Sequence, residues 1–225
     1  MLWPVAEPDD TSIPGIDRLL ALTDGVVAIA LTLLVLQLQV PAVKLADEKS
    51  ASDLWQALNI DGPELTSYLV SFLIIAQFWL VHHRAMRGMR GHSEGLAWRN
   101  FGFLLALTLM PFTSDLIGRF GSNPVAITLF GLNLALISLS SQWIVLYATH
   151  HNLVEDGHRS AHDELTAHIR VVLVLCIIGL SILLAWTVPA EAKYVWILFL
   201  FTSPVAARLA PLVEQRKGVG KSQAG

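Results

Sequence analysis

Apolar runs separated by short polar stretches divide the chain into six predicted spans. The first, Leu19 to Val40, counts 22 residues, roughly 33 Å of helix at about 1.5 Å per residue, enough to cross a bilayer core. Pro41 is expected to stop it, and Asp17 suits the positive end of its dipole. The remaining spans are predicted at Leu65–Val81, from Arg99 or Asn100 to Ile117, at Pro124–Tyr147, at Ile169–Val188 and from Tyr194 to Leu209. Pro111 removes a backbone donor inside the third span and should kink it. Asn133, Ser138, Ser140, Ser141 and Gln142 place hydrogen-bonding groups within the fourth. Between the first two spans, residues 42–64 read as a solvated loop with a short surface helix near 54–58, anchored by Trp55.

Composition agrees with this pattern. The chain is 54% hydrophobic and 15% charged, and its mean hydropathy is +0.56. A soluble domain carries about a quarter charged residues. The fold class is therefore an all-α integral membrane protein with six transmembrane helices over residues 18–210. A polar lead covers residues 1–17, and residues 211–225 form a basic tail read as disordered. The lead is acidic and Pro-rich, so no cleavable signal peptide is expected. The net charge of −3 advertises no nucleic-acid surface. Cys176 stands alone and is expected to pack as a small buried residue.

The basic residues orient the spans. Eleven of the fifteen, including Arg18, Arg84, Arg87, Arg99 and Arg170, fall on the side that holds both termini. Lys44, Lys49, Arg119 and Lys193 fall opposite, so the positive-inside rule places both termini in the cytoplasm.

Three constellations could carry chemistry. The first surrounds Asp24, a carboxylate inside an apolar span and hence a functional-site hypothesis. Arg18 lies six residues earlier, about 120° away on the helix wheel, so each of the two needs partners from other helices. Trp79, His82, His83 and Asn100 lie at the same predicted depth and could close a polar network. That network either staples three helices or meets a substrate directly; the residue types fit both.

The second constellation is histidine. All eight fall on the cytoplasmic side, and His158 and His162 are four apart, a spacing that suits a metal on one helix face. His82–His83 and His150–His151 end two spans, which allows a membrane metal- or haem-binding protein as an alternative function. Adjacent histidines diverge by about 100°, and no cysteine completes a tetrahedral set. A second alternative is a proton-coupled transporter that uses Asp24.

The third is a stripe. Ile29, Leu33, Leu36 and Val40 recur at i, i+4, i+7 and i+11 along one face of the first span, with Thr32 beside it. Several copies of this helix around an axis would form hydrophobic rings of the kind that gate by dewetting. Ordinary helix packing accounts for the same spacing.

At Arg18, Leu22, Thr23 and Asp24 the chain resembles the RxxxFSD signature of the lysosomal potassium channel transmembrane protein 175 family. The similarity continues through DGVVAIALTLLVLQLQVP, FWLVHHRAM, NFGFLLALTLMPFT and WIVLYA. Leu22 stands where the family has Phe and Thr23 where it has Ser; Thr keeps the hydroxyl. The resemblance implies a potassium-permeable channel, not an enzyme, with no cofactor beyond the permeant ion. It implies a homotetramer in the cell's inner membrane whose first helices line a central pore, with Ile29, Leu33 and Leu36 as the constriction and Thr32 as a pore-side hydroxyl. It also implies that Arg18, Thr23 and Asp24 organise the cytoplasmic mouth, with Trp79, one of His82 or His83, and Asn100 as partners.

Overall fold

The computed structural model describes residues 14–38, 51, 52, 55, 62–89, 91, 93–154, 161–188 and 192–222. Most of these residues are helical, with one isolated antiparallel bridge between Met89 and Val154. The helices are α1 (Pro14–Val35), α2 (Gly62–Arg87), α3 (Glu94–Thr108), α4 (Met110–Phe120), α5 (Pro124–His150), α6 (Ala161–Ala185), a 3-10 helix (Lys193–Phe201) and α7 (Thr202–Ser222). They make six spans long and apolar enough to cross a membrane, with α3 and α4 together as the third.

α1 shows how sequence becomes packing here. Ile16, Leu19, Thr23, Val27, Ala30 and Leu34 recur every three or four residues and are buried against α2, α3 and α4. The opposite face is open. The helix ends at Val35, five residues before the predicted stop. Leu36, Gln37 and Leu38 donate their N–H groups to Leu33, Leu34 and Val35 at 3.1–3.2 Å, which tightens the last turn. The Gln37 side-chain amide then donates to the Pro111 carbonyl, tying this end of α1 to α4. Pro41 and Val40 lie outside the described residues.

Most of the other helices start before the predicted spans, because hydropathy marks the lipid-crossing part and not the polar first turns, whereas α6 ends at Ala185, short of the predicted Val188. α3 begins at Glu94, capped by Ser93, whose hydroxyl accepts from Leu96 N at 3.1 Å. α5 begins at Pro124, as predicted; Asn123 caps it, and it continues to His150. Asn152 follows at φ 53°, a left-handed position that Asn tolerates at a helix end.

The Pro111 break separates α3 from α4 at Leu109. Asn133 of α5 enters this gap. With its amide turned as its surroundings require, it donates to Ala106 O at 2.8 Å and accepts from Met110 N at 3.3 Å and Thr113 Oγ1 at 3.1 Å. A side-chain amide thus completes the backbone pairing that the kink loosens. Ser140 only bonds back to the Leu136 and Ile137 carbonyls of its own helix.

α5 is central, packing on α3, α4 and α6 and touching α2. The last span opens as a 3-10 helix whose Trp196 and Phe199 are buried in the core. Pro204 then sits in the first turn of α7, where its missing N–H costs nothing, and the backbone runs through Pro211 to Ser222. Residues 211–222, read as disordered, are therefore helical. Cys176 is exposed on α6, contrary to the expected packing role: it lies on a face turned away from the bundle. Of the predicted surface helix near 54–58, Trp55 is helical and exposed, and the others lie outside the described residues.

Candidate functional site

α1, α2 and α3 bring the predicted polar residues together in two layers. The inner layer is dry. Thr23, His82 and Asn100 are buried, and Asn100 Nδ2 donates to Thr23 Oγ1 at 3.0 Å. Thr23 Oγ1 donates in turn to Leu19 O at 2.9 Å, one turn back on α1. The His82 ring lies on Phe103 of α3, with centroids 4.3 Å apart and planes 5° from parallel. His82 Nε2 and Asn100 Oδ1 have no hydrogen-bond partner among the described residues.

The outer layer is wetter. The Asp24 side chain is 44% exposed, and its Oδ1 accepts from Trp79 Nε1 at 2.7 Å. His83, one turn beyond Trp79 on α2, stacks on the indole at 5.2 Å and brings Nδ1 to 3.9 Å from the same oxygen. The two adjacent histidines therefore divide the work: His83 faces the carboxylate and His82 packs against α3. Their divergence on the helix dictates the split.

Arg18 does not join. It is exposed and makes no ion pair with Asp24. The six-residue offset keeps the two from pairing along α1, and the rotation of α1 against its neighbours leaves Arg18 on the exposed side.

The stripe is open. Ile29, Leu33 and Leu36 are 60%, 43% and 72% exposed, and Leu22 continues the same face toward Asp24. Leu36 sits in the turn just past the helix end. At Gly25 a Cβ would meet nothing within 4 Å, so this face stays clear of the rest of the chain. Thr32 is exposed beside the stripe, its hydroxyl donating to Ile29 O at 2.8 Å.

Two groupings were not anticipated. Gln77, within the apolar run of α2, donates toward Phe199 O, Thr202 Oγ1 and Ser203 Oγ at 3.0–3.3 Å, locking α2 to the last span. An amide in so apolar a run was the available signal. Arg99 lies over Tyr147 and Trp143, 3.8 and 4.8 Å from the ring centroids, and donates to Gly95 O at 2.7 Å. Nothing in the spacing paired these rings with Arg99. The histidines do not assemble a metal site: among the described residues no three His, Cys, Asp or Glu side chains come together. His92, His158 and the side chain of His162 lie outside the described residues.

Residues 18–111 match the family of the endosomal/lysosomal potassium channel TMEM175. Over 123 residues the chain is 34% identical to a potassium channel of Chryseobacterium sp., covering 54% of this chain and 59% of that one. Over 140 residues it is 31% identical to a potassium channel of Streptomyces collinus, covering 60% and 66% of the two chains. The matched regions thus span somewhat under two thirds of these relatives. The fold resembles the crystal structure of a lysosomal potassium-selective channel TMEM175 homolog from Chamaesiphon minutus, with a TM-score of 0.68 and 21% identity over 85% of this chain and 97% of that one. The stretch similar to the TMEM175 family runs from Arg18 through the Pro111 kink and contains every residue of the two polar layers.

Proposed function

We propose that the protein is a potassium-permeable cation channel and that its pore is shared between four copies, each contributing α1. The observation that carries this reading is the two-sidedness of α1. One face is buried against three helices; the other turns an apolar stripe outward, one turn beyond a hydrogen-bonded carboxylate. The names of the Chryseobacterium and Streptomyces relatives supply the ion.

In this reading Ile29, Leu33 and Leu36 of four copies form stacked apolar rings. A narrow apolar passage sheds water, so ion flow responds steeply to small changes of radius. Thr32 presents its hydroxyl oxygen beside the rings. Thr23, Asp24, Trp79, His82, His83 and Asn100 act as a staple that fixes the tilt of α1 against α2 and α3 and so sets the radius. Arg18 stands at the mouth, free of that staple. The excess of basic residues on the side of the termini supports a cytoplasmic location for both, in the inner membrane.

Two other readings fare worse. A metal- or haem-binding protein needs histidines that converge, and those among the described residues do not. A proton-coupled transporter needs Asp24 to exchange protons with a moving substrate, whereas its Oδ1 is held by an indole donor.

Potassium flux from liposomes holding the purified protein tests the proposal, with sodium and proton flux beside it. Potassium flux that changes on Leu33→Ala is expected. A protein shown to be folded and oligomeric that passes no cation would remove the channel reading.

A further inference from the structure

A charged feature lies between α3 and α5, away from the two polar layers. Arg99 leaves the second turn of α3 and reaches across to α5, where its guanidinium carbon lies over the rings of Tyr147 and Trp143. The Nη1 bond to Gly95 O is its one hydrogen bond among the described residues. Nε is enclosed by the stack, whereas Nη2 has no partner among the described residues and is not enclosed. No carboxylate among the described residues comes within ion-pair distance of it. A guanidinium half withdrawn from water and facing rings on one side lacks a counter-charge.

The surroundings give the class of the missing partner. Trp98 and Trp143, 72% and 57% exposed, flank the cation on its two helices, as indoles do at the boundary of a membrane. Below them Phe101 and Leu105 of α3 and Leu139 of α5 continue outward-facing apolar strips into the span. Gly102, one turn inward from Arg99, leaves the backbone bare, since a Cβ there would meet nothing within 4 Å. Arg99 therefore stands at the head of a groove open to lipid. The planar fork that the rings hold in place matches a phosphate, and the basic residues gathered at this end of the bundle favour the anionic leaflet. With no carboxylate beside Arg99, a zwitterionic headgroup finds nothing for its ammonium. We propose that this groove binds one anionic phospholipid, its phosphate on Arg99 Nη2 and its chains along Phe101, Leu105 and Leu139. The lipid supplies the counter-charge and ties α3 to α5. The inference needs only the membrane fold and is independent of the channel reading.

Thermal unfolding of the purified full-length protein in a neutral detergent tests this with added phosphatidylglycerol, phosphatidylcholine or inorganic phosphate. Phosphatidylglycerol raises Tm by about 2–4 °C in a saturable way relative to phosphatidylcholine, and inorganic phosphate does not. An equal rise with inorganic phosphate overturns the lipid in favour of a free anion. Arg99→Gln abolishes the difference between the two lipids, whereas Arg87→Gln, an exposed cation at the same end of the bundle, leaves it in place. Because Arg99→Gln also removes the ring stack and can impair folding, native mass spectrometry of the unmodified protein taken from mixed vesicles gives an independent readout. Retention of a single phosphatidylglycerol per chain in preference to phosphatidylcholine supports the site. No preference in either measurement, or a loss on Arg87→Gln as large as that on Arg99→Gln, overturns it and leaves the groove to bulk lipid or a neighbouring copy of the chain.

Discussion

Trp79 and Asp24 face each other across α2 and α1, with the indole N–H 2.7 Å from the carboxylate oxygen. The contact joins the helix carrying the open stripe to the helix beside it. Removing the donor while keeping an aromatic ring isolates its worth. Trp79→Phe should cost about 1–2 kcal/mol, reduced from the value for a charged acceptor because water reaches Asp24. Unfolding in detergent would read this as a lower Tm, and Asp24→Asn should lower it similarly while leaving a folded chain. An Asp24→Asn protein of unchanged stability that stops only transport would favour the transporter reading instead.

The inner layer should be less forgiving. Thr23→Val keeps the side-chain shape but leaves the Asn100 amide buried without its acceptor, a loss of about 1–3 kcal/mol. Thr23→Ser restores the hydroxyl and should recover most of it. Equal stabilities for the Val and Ser variants would show that the hydrogen bond contributes nothing.

Asn133→Leu removes the amide that bridges Ala106 O and Met110 N at the Pro111 break. Two buried backbone groups then lose a partner, and the loss should reach about 2–4 kcal/mol, at least as large as that of Thr23→Val. Ser140→Ala, on the same helix, should be nearly silent because that hydroxyl bonds only to its own turn. Comparing these two variants by unfolding separates an interhelical polar group from a local one.

Gly95→Ala places a methyl group against the Tyr147 hydroxyl and 2.7 Å from the ring carbon Cζ. Tyr147 must move off the Arg99 guanidinium, which it now meets at 3.8 Å from the ring centroid. We expect a loss of about 1 kcal/mol, with a tyrosine fluorescence change that Gly25→Ala, in open space, does not produce.

Much of this architecture was legible before any coordinates. Spacing alone put Ile29, Leu33 and Leu36 on one side of α1, because a helix repeats every 3.6 residues whatever surrounds it. Depth in the membrane grouped Asp24 with Trp79, His82, His83 and Asn100. What spacing does not carry is which partner each group takes. The division between His82 and His83 depends on Phe103, and the isolation of Arg18 depends on how α1 is rotated against its neighbours. The end of α1 was misplaced because Gln37 anchors to Pro111, 74 residues away. The bridge from Asn133 to the kink is invisible in the sequence for the same reason: only tertiary packing joins the two.

The measurement closest to the central claim is potassium flux through reconstituted Leu33→Ala beside the unmodified protein, at matched amounts of folded material. If α1 lines the pore, truncating Leu33 widens the apolar ring and raises potassium flux or weakens its preference over sodium. Flux identical in rate and ion preference, with the same result for Ile29→Ala and Leu36→Ala, would take the open face of α1 out of the pore.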